Sequence, residues 1–465
     1  MPSVLIETGK LADKIGVSVY VVGGFVRDKI LNRPHKKDID FVVLGDAPFF
    51  AKSLSNELKI KTPIKIFKTY GTAMFRYGDW ELEFVGARKE SYTSESRNPT
   101  ISKGTLKDDQ NRRDFTMNAL AISLNKKDFG ALIDPFEGMQ ALREKKIMTP
   151  LDPDKTFSDD PLRMMRAIRF LSELHFDIAP ETLAAIKQNH QRIRIITKER
   201  IVSEFHKIMM SEKPSKGIMI LEQTGLLGEF LPELTALKGI EEREGQRHKD
   251  NFFHTLQVVD NISKKTAKLW LRWAALLHDI GKAPTKKFSK KNGWTFHHHE
   301  FIGAKMAYEI FKRLRLPLNN DMKFVQKMIV LSSRPIILAT EVTDSAVRRL
   351  IFDAGVYIDD LMMLCEADIT TKNKTRFKKY LNNFTKVREK INAVEKRDQL
   401  RNFQPPISGE VIMKTFGIKP SPDIGIIKEK IKDAILEGQI PNEYDPAYKL
   451  MLTIGQNKGF IVKQC

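Results

Sequence analysis

The sequence is poor in cysteine and has no long apolar run. Of its 465 residues, only Cys365 and Cys465 are cysteines. That excludes a disulfide framework or a cysteine zinc site and is typical of a reducing compartment. No apolar run approaches the roughly 20 residues that span a bilayer, and residues 1–16 show no basic segment followed by a long apolar core. We therefore expect a cytoplasmic protein with no membrane partner.

Positive charge is what the sequence has in excess. Lysine and arginine number 78 against 58 aspartates and glutamates, which gives a net charge of +20. Such an excess favours a polyanionic partner, above all nucleic acid, although a basic surface can also serve solubility or membrane affinity. The length allows about two to four domains with cores of their own.

Residues 21–43 predict a ligand-binding turn between two strands. The apolar runs at 19–22 and 39–44 predict the strands, and a short helix and a basic turn lie between them. Gly23 and Gly24 precede this helix. Because glycine has no Cβ, the backbone there can approach a phosphate closely and point its N–H groups at it.

Asp38 and Asp40 begin the second predicted strand. Residues two apart on a strand share one face, so the two carboxylates lie close together. Such a pair repels unless divalent cations lie between its members. Carboxylates are ligands that Mg²⁺ prefers, and nucleotidyl transfer uses this arrangement. The pair therefore predicts a Mg²⁺ site, with a solvated turn as the alternative.

These residues resemble a known family. GGFVRDKIL followed by KKDIDFVV resembles the opening motif of the class II tRNA nucleotidyltransferases and bacterial poly(A) polymerases, members of the polymerase β-like superfamily. The resemblance implies a template-independent enzyme that adds CCA to tRNA 3′ ends from CTP and ATP and releases pyrophosphate. It implies two Mg²⁺ ions at Asp38 and Asp40, and phosphate contacts from Arg27. Nothing points to an obligatory protein partner.

A second motif, NRRDFTMNAL at 111–120, supplies further phosphate ligands. Arg112 and Arg113 carry guanidinium forks that suit phosphate oxygens. Asp114 can orient one of them or touch a ribose, and Asn118 follows one helical turn later. The segment resembles the family's motif for the sugar and triphosphate of the incoming nucleotide.

The segment FSDDPLRMMRAIRF at 157–170 predicts a helix with Ser158 or Asp159 as its N-cap. Arg163, Arg166 and Arg169 recur every three residues and so lie near one face. That face is either an exposed basic surface or part of a nucleotide site that includes Arg166.

The same segment resembles the family's Glu-Asp-x-x-Arg motif, which Asp160 and Arg163 match, whereas Asp159 replaces the glutamate. Cytosine and adenine present an amine donor beside an unprotonated ring nitrogen, but uracil and guanine present a carbonyl beside a ring N–H. An ionised aspartate only accepts hydrogen bonds and an arginine only donates them. Asp160 facing the amine and Arg163 facing the ring nitrogen would therefore admit C and A and reject U and G.

Glu83 is the candidate for a third catalytic carboxylate. Members of the superfamily often use a third acid near the metal pair, and Glu83 precedes Arg88 by five residues, as in ExxxxR patterns of relatives. Its segment, 64–90, alternates apolar and polar residues and predicts two or three antiparallel strands with turns at Gly71 and Gly78. The alternative for Glu83 is a solvated strand edge. The polar segment 91–109 predicts a mobile loop.

A second set of metal-ligating residue types follows, in the order His254, His278–Asp279 and Asp368. Imidazole nitrogens with carboxylates suit a transition metal. The order resembles H…HD…D of HD-domain phosphohydrolases. That resemblance implies either hydrolysis of 2′,3′-cyclic phosphates on damaged tRNA ends or a scaffold whose helices bind RNA.

Residues around this set have further predicted roles. Gly281 is expected to cap a helix and Lys282 to reach a phosphate. His299 is expected to orient substrate or complete a second metal position. Because serines stand at 332 and 333, where dinuclear relatives have histidines, we expect one transition metal at most.

The implied fold class is α+β. A polymerase β-like head with a mixed or antiparallel sheet and helices is followed by an all-α neck, an HD body and a tail. We place the head at 1–150, the neck with the nucleotide-selecting motif at 151–240, the HD domain at 241–375 and a basic helical tail at 376–465. Glu199, Arg200 and Glu204 are expected to brace the neck.

Three alternatives stay open at this point. The first is a poly(A) polymerase or an enzyme that adds only CC or only A, since these share the motifs. The second is an HD phosphohydrolase whose head only binds RNA. The third is a tRNA-binding module without chemistry, which would not need two separate acid clusters.

Overall fold

The structure is a computed structural model. It describes residues 3–34, 37–67, 71–93, 96–338, 343–371, 373–398 and 406–463, and for 90–93 and 96–101 it describes the backbone alone. The chain divides into two compact units, Met1–Pro232 and Glu233–Cys465.

A seven-stranded sheet organises the first unit. Its strands run in the order β3-β4-β5-β2-β1-β8-β9. β2 pairs with β5 in parallel, and the other described neighbours in this sheet pair antiparallel. The predicted mixed sheet is therefore confirmed. The strands of the unit are β1 (Val19–Val22), β2 (Asp38–Val43), β3 (Lys65–Phe67), β4 (Thr72–Tyr77), β5 (Trp80–Gly86), β6 (Arg88–Thr93), β7 (Ser96–Lys103), β8 (Ala121–Ser123), β9 (Leu132–Ile133), β10 (Lys146–Ile147) and β11 (Asp177–Ile178).

Helices cover the sheet and continue beyond it. Those of the first unit are α1 (Ser3–Ile15), α2 (Gly24–Ile30), α3 (Ala47–Glu57), α4 (Leu106–Asn111), α5 (Gly138–Glu144), α6 (Pro153–Asp159), α7 (Leu162–Leu174), α8 (Pro180–Asn189), α9 (Lys198–Met209), α10 (Pro214–Gln223) and α11 (Leu226–Phe230). Helix α12 (Pro232–Thr235) spans the boundary of the two units.

The core of this sheet leaves one face of β2 free for polar chemistry. Ile39, Phe41 and Phe84 are fully buried, and the rings of Phe41 and Phe84 stack with centroids 4.6 Å apart. Because strand side chains alternate, Asp38 and Asp40 point to the side opposite Ile39 and Phe41. The buried face therefore fixes the position of the two carboxylates.

The prediction of a loop at 91–109 is wrong. β6 and β7 form an antiparallel hairpin, and α4 follows it; residues 94 and 95 lie outside the described residues. A hairpin needs no apolar alternation, because its backbone groups pair whatever the side chains are. The turns predicted at Gly71 and Gly78 are confirmed, with φ of 60° and 57°.

The helix predicted over 157–170 is interrupted. The chain leaves the helical conformation at Asp160, whose φ and ψ are −134° and 96°, because Pro161 disfavours helical geometry in the residue before it. Asp160 Oδ1 accepts a hydrogen bond from the N–H of Leu162 at 3.2 Å. The N-cap position of α7 is Pro161, which offers no side-chain hydrogen bond, so the prediction of Ser158 or Asp159 as the N-cap is wrong.

Helices dominate the second unit, and α14 is buried from Leu271 to Leu277. Among the described residues, none of the helices is both long and apolar enough to cross a bilayer. The helices are α13 (Asn251–Ser263), α14 (Leu269–Leu277), α15 (Lys282–Thr285), α16 (His299–Arg313), α17 (Asn320–Leu331), α18 (Arg334–Leu338), α19 (Asp344–Ala354), α20 (Ile358–Ala367), α21 (Lys374–Asp398), α22 (Gly409–Phe416), α23 (Pro422–Glu437) and α24 (Tyr444–Asn457). Two small hairpins pair β12 (Glu242–Arg243) with β13 (Gln246–Arg247) and β14 (Lys287–Ser289) with β15 (Gly293–Thr295).

Candidate active sites

The carboxylates predicted for the head lie side by side on the sheet. In the parallel pairing of β2 with β5, Asp38 lies opposite Glu81 and Asp40 opposite Glu83. Paired residues on neighbouring strands share a face. Asp38, Asp40 and Glu83 also line one cavity of about 360 Å³, together with Gly23. The structure thus brings Glu83 beside the aspartate pair, in the position that a third acid would need.

The electrostatics of this group fit a divalent cation. Burial raises the pKa of Asp40, and the charge of Asp38 adds to the rise although Arg113 opposes it. Partial desolvation, and then the charge of Asp40, raise the pKa of Glu83. Burial thus disfavours the ionised forms of Asp40 and Glu83, a cost that a bound divalent cation would offset, and the donors of this group are all carboxylate oxygens, the ligands that Mg²⁺ prefers.

Gly23 keeps space open next to Asp40. Its φ is +73°, a conformation that favours glycine. A Cβ built on it would lie 3.0 Å from Asp40 Oδ2 and 3.3 Å from Arg113 Nη1. Any other residue at this position would therefore crowd the carboxylate of Asp40 and the guanidinium of Arg113.

Arg112 and Arg113 are held by a buried carboxylate that the sequence did not predict. Asp109 is 0% exposed. Its Oδ2 accepts from Arg113 Nε at 3.0 Å and from Nη2 at 2.9 Å, and its Oδ1 accepts from Arg112. Burial alone would raise the pKa of Asp109, but the two guanidinium groups outweigh it and lower the pKa.

A local signal could have found Asp109. Thr105 and Asp108 form a capping box that starts α4. Such a box marks a helix start, and a helix places Asp109 within reach of the residues three and four positions later. Because 91–109 was predicted to be a loop, the start of α4 within it was not predicted.

Asp114 joins the second motif to α7. Its Oδ2 accepts from Arg166 Nε at 2.7 Å, and its Oδ1 accepts from Asn118 Nδ2 at 2.9 Å. Burial alone would raise the pKa of Asp114, but Arg166 and the hydrogen bond from Asn118 lower it to about 2. The arginine that Asp114 orients is thus Arg166, which comes from the selecting segment.

Arg27 is tied to the same network. Its Nε donates to Asp28 Oδ1 and its Nη1 donates to Asn118 Oδ1, both at 2.9 Å, and its guanidinium lies 4.9 Å from the centre of the Phe170 ring. These contacts hold the first motif against the second and against α7. The phosphate contact predicted for Arg27 stays a prediction.

The predicted base-selecting pair lies in the same cleft as two of the predicted catalytic acids. A cavity of about 550 Å³ is lined by Asp40, Glu83, Arg112, Arg113, Asp160, Arg163, Arg166 and Arg200. Arg163 Nη2 donates to the carbonyl of Arg112 at 2.5 Å, so the segment that would read the base is fixed to the motif that would hold the phosphates.

The other arginine of the predicted row has a bracing contact. Arg169 forms an ion pair with Glu204 of α9 at 3.2 Å, which confirms Glu204 as a bracing residue. Arg200, predicted to brace the neck, lines the cavity instead of only supporting it.

The second unit contains a compact metal-ligating group. His254, His278 and Asp368 offer ligand atoms that all lie within 4.8 Å of one another, and within the described ranges this is the one such group. His254 Nε2 and His278 Nε2 lie 2.8 Å and 3.5 Å from Asp368 Oδ1. His254 lies in α13, and the other two residues directly follow α14 and α20. Three of the four predicted ligands therefore converge.

This group fits a transition metal. His278 Nδ1 lies 2.9 Å from the carbonyl of Ala275, so it donates there and Nε2 faces the group. Among the described residues, His278 Nε2 and Asp368 Oδ1 are buried and form no well-directed hydrogen bond, although His254 Nε2 lies 2.8 Å from that oxygen. Burial alone would lower the pKa of His278, but Asp279 and Asp368 raise it to about 10. The pocket therefore attracts positive charge, and imidazole with carboxylate is a donor set that transition metals bind.

Asp279 lies at the edge of the group. Its Oδ2 is 3.4 Å from His278 Nε2 and accepts from Lys282 Nζ at 2.7 Å. Lys282, predicted to reach a phosphate, is thus bound to Asp279. His299 Nε2 lies 3.6 Å from Asp279 Oδ1 and outside the compact triad, and its role in orienting substrate or completing a second metal position stays a prediction.

Gly281 lies at the start of α15 and in close contact with α16. It precedes α15 with φ of −73°, so no left-handed conformation requires glycine there, and the predicted glycine cap is wrong. A Cβ at this position would lie 2.0 Å from the carbonyl oxygen of His299 and 2.7 Å from the N–H nitrogen of Gly303. The missing side chain allows α16 to approach the HD segment closely.

Three family models match the chain. They are the Poly A polymerase head domain over residues 19–148, the probable RNA and SrmB-binding site of polymerase A over 175–238, and the HD domain over 251–369. The matched ranges contain the head carboxylates and the HD triad.

Individual proteins agree with these matches. The multifunctional CCA protein of Cupriavidus metallidurans is 30% identical over 76% of this chain and 84% of its own length. The A-adding tRNA nucleotidyltransferase of Deinococcus radiodurans is 30% identical over 72% of this chain and 76% of its own. The crystal structure of the Bacillus stearothermophilus CCA-adding enzyme in complex with CTP has the same fold, with a TM-score of 0.69, 21% identity and 99% of each chain covered. The chain therefore belongs to the family of tRNA nucleotidyltransferases and poly(A) polymerases with an HD domain, and it is a nucleotidyltransferase.

Proposed function

We propose that this chain adds CCA to the 3′ end of tRNA, with CTP and ATP as substrates and pyrophosphate as product. The observation that carries the proposal is one cavity that contains Asp40 and Glu83, the paired arginines Arg112 and Arg113, and the Asp160–Arg163 pair. A nucleotide bound there could contact the Asp160–Arg163 pair with its base, the paired arginines with its phosphates and the acid cluster at its reacting phosphate, all at the same time.

Asp38 and Asp40 are the residues that would hold Mg²⁺, two ions in this proposal, with Glu83 beside them. The chemistry that Mg²⁺ supplies when bound is activation of the attacking 3′-hydroxyl and neutralisation of charge on the leaving pyrophosphate. Arg112 and Arg113 would bind the triphosphate. Because Asp109 already fixes both guanidinium groups, they need not reorganise when charge develops on the phosphates.

Asp160 and Arg163 would read the base by hydrogen-bond polarity. Asp160 remains an acceptor for the exocyclic amine of C or A, and Arg163 a donor for the ring nitrogen. Arg166, bound to Asp114, would keep α7 in place while the base changes from C to A.

The test is incorporation with single nucleotides. The protein is incubated with tRNA that lacks its CCA end and with tRNA that ends in CC, using CTP alone, ATP alone and both. We expect two C residues from CTP alone and a complete CCA from both. Addition of A only to the CC-ending tRNA would show an A-adding enzyme, and long A tracts would show a poly(A) polymerase; either result contradicts the proposal. tRNA that already ends in CCA is the control and should not grow.

Asp160→Asn is expected to weaken base discrimination without loosening α7. The asparagine oxygen can still accept from the N–H of Leu162, so the contact of this side chain with the start of α7 is kept. Its amide group can also donate to the carbonyl of uracil, while Arg163 still opposes the ring N–H. We therefore expect the ratio of kcat/KM for CTP over UTP to fall about tenfold.

The matched control is Asp159→Asn, one residue away on α6. Steady-state kinetics with CTP, ATP and UTP measure the ratio in both variants. An equal change in the two variants, or no change in Asp160→Asn, would rule out base reading by Asp160.

We propose a second activity, metal-dependent phosphohydrolysis at the HD centre. His254, His278 and Asp368 would hold one transition metal, which when bound supplies a hydroxide or Lewis acid. The supporting observation is that His278 Nε2 and Asp368 Oδ1 are buried, lie 3.5 Å apart and form no well-directed hydrogen bond.

Hydrolysis of a 2′,3′-cyclic nucleotide in the presence of Mn²⁺ or Ni²⁺ tests this activity. We expect His278→Asn to lose hydrolysis and keep nucleotide addition, because its side chain lies in the second unit. If the unaltered protein hydrolyses nothing with either metal while it still adds nucleotides, the HD unit is a scaffold.

The start of α21 is expected to contact tRNA. Residues 374–388 contain six lysines and arginines and no acid, and all seven residues at 374–380 are exposed. Lys378→Gln with Lys379→Gln should lower the slope of log affinity against log salt by about 2, because each phosphate contact contributes about one unit.

The matched control is Lys428→Gln with Lys430→Gln, two exposed lysines on α23. Filter binding of tRNA at several salt concentrations gives both slopes. Equal slopes in the two double variants would show that α21 contributes only general charge.

A further inference from the structure

The two small hairpins of the second unit pack together through aromatic side chains. In β14–β15, Phe288 lies opposite Trp294, and their ring centroids are 5.2 Å apart. The buried ring of His248, which follows β13, meets Trp294 edge-on at 5.0 Å and Phe296 at 6.2 Å. Trp294 Nε1 also donates to the carbonyl of Gln246 in β13 at 3.0 Å. Phe288, Trp294 and Phe296, all half-buried, form one aromatic face.

Cationic side chains lie over the aromatic face. The guanidinium carbon of Arg243 is 5.6 Å from the centre of the Trp294 ring, and the Nζ of Lys286 is 5.8 Å from it. Arg243 is exposed, and Lys286 also pairs with Glu241. Partly exposed rings with cations beside them are what single-stranded RNA binds, because bases stack on rings and on guanidinium planes while phosphates pair with the charges.

The aromatic face reaches the HD centre. Lys282 Nζ is 5.8 Å from the centre of the Phe296 ring and 2.7 Å from Asp279 Oδ2. Lys249, two residues after β13, has its Nζ 2.6 Å from His254 Nδ1. Both hairpins are therefore connected to the centre through a single side chain. An RNA strand with its terminal phosphate at the centre would have its preceding nucleotides beside the aromatic face.

We propose that the aromatic face binds the nucleotides that precede the 3′-terminal phosphate hydrolysed at the HD centre. The substrate class is then the end of a single-stranded RNA, for which a free nucleotide is a poor replacement. A base would stack on Trp294, and Arg243 and Lys286 would contact phosphates. The inference rests on the proposed HD activity and names its substrate class. In that reaction a water oxygen forms the new bond to phosphorus, the bond from phosphorus to one ribose oxygen breaks, and this oxygen takes the proton.

Strand alternation supplies cations on the opposite face as matched controls. Arg247 lies opposite Glu242, one position along β12–β13 from Arg243, so it points to the other side of its hairpin. Lys287 follows Lys286 and alternates with it in the same way. Each set of two contains one cation paired with a glutamate, Lys286 in the first and Arg247 in the second. Removal of either set changes the net charge by the same amount.

The experiment compares two double variants of the full chain, Arg243→Gln with Lys286→Gln and Arg247→Gln with Lys287→Gln. Each is given 2′,3′-cyclic CMP and an oligonucleotide of about six nucleotides that ends in the same cyclic phosphate, with Mn²⁺ or Ni²⁺ present. The measurement is the ratio of kcat/KM for the oligonucleotide over kcat/KM for cyclic CMP, because this ratio cancels any general change at the HD centre. Circular dichroism during heating shows whether the variants are folded.

We expect the unaltered protein to favour the oligonucleotide by about tenfold or more, since stacking of one base supplies an effect of this size. The ratio should fall about tenfold in Arg243→Gln with Lys286→Gln and stay within about twofold in the other double variant. If the cations only stabilise the hairpins by packing on the rings, the ratio will not depend on them. An unaltered protein without preference for the oligonucleotide, or an equal ratio in the two double variants, overturns the inference.

If the unaltered protein hydrolyses neither substrate, the proposed HD activity fails, and binding alone decides the inference. Fluorescence anisotropy of the labelled oligonucleotide then measures the affinity of each double variant. Weaker binding in Arg243→Gln with Lys286→Gln than in the control keeps the aromatic face as an RNA-binding surface, whereas equal affinity overturns it.

Discussion

Asp40→Asn is expected to lower nucleotide addition at least about 1,000-fold and to leave the protein as stable as before or more so. The loss of nucleotide addition is expected because Asp40 lies in the cleft next to Gly23, Arg113 and Glu83. Asparagine has the same shape but no charge, so it would bind a divalent cation weakly and could not balance it. A metal-dependent transfer that lost one of the two aspartates that would hold Mg²⁺ would lose several kcal/mol of transition-state stabilisation, on the order of 4.

The stability result has the opposite sign. The pKa of Asp40 is raised above its usual 3.8 by burial, so the folded protein binds this proton more tightly than the unfolded chain does. Above pH 3.8 the ionised group therefore destabilises the fold, and the penalty grows until the pH passes the folded pKa. Asparagine has no such penalty, so without divalent cations its unfolding temperature at pH 7 should equal or exceed that of the unaltered protein. The two should converge below the unfolded pKa.

Incorporation of labelled CMP measures the loss of activity, and calorimetric unfolding with and without Mg²⁺ measures the change in stability. Mg²⁺ should raise the unfolding temperature of the unaltered protein and much less that of Asp40→Asn, since only binding to the folded state stabilises. Asp79→Asn is the control, because that carboxylate pairs with Lys37 at 2.5 Å in the turn before β5. More than a tenth of the activity left in Asp40→Asn would contradict the assignment of the catalytic acids.

The sequence predicts that Asp38 and Asp40 lie together because each inference depends only on neighbouring residues. Two residues on one strand must share a face, and the strand itself follows from the apolar residues around Asp38 and Asp40. The pairing of β2 with β5 is not local, since some forty residues separate Asp40 from Glu83 in the chain. Periodicity alone could not bring them together, and Glu83 was placed beside the pair only by family resemblance.

The polar contacts that hold the arginines were harder to predict. Arg112, Arg113 and Arg166 were chosen as nucleotide ligands for their chemistry, but their partners Asp109 and Asp114 depend on how α4 and α7 are placed. From sequence alone an aspartate is expected at the surface, because aspartates are seldom fully buried unless a cationic side chain pairs with them.

Asp109→Asn is expected to lower kcat/KM for both CTP and ATP by about 100- to 1,000-fold, which corresponds to roughly 3–4 kcal/mol. The carboxylate is fully buried and accepts from both Arg112 and Arg113. An asparagine keeps one acceptor oxygen, but its amide N–H groups would face a guanidinium, and two groups that both only donate hydrogen bonds repel each other. One arginine therefore loses its partner and turns away from the place where the triphosphate would lie. Breaking a buried ion pair on one side also destabilises a fold by about 3–5 kcal/mol.

The two effects of Asp109→Asn can be separated by the neighbouring carboxylate. Asp108→Asn makes the same change one residue earlier on α4, where the side chain is only half-buried and accepts from the N–H of Thr105 at 2.8 Å. Asparagine can keep that bond, so the helix start is preserved and kcat/KM should stay within about twofold. Both variants are assayed at low temperature, with circular dichroism to confirm that they are folded. If Asp109→Asn is less stable but retains full kcat/KM, the arginines support the fold and do not bind the triphosphate; if its KM rises and kcat falls while the chain remains folded, the buried aspartate acts on catalysis through the arginines it holds.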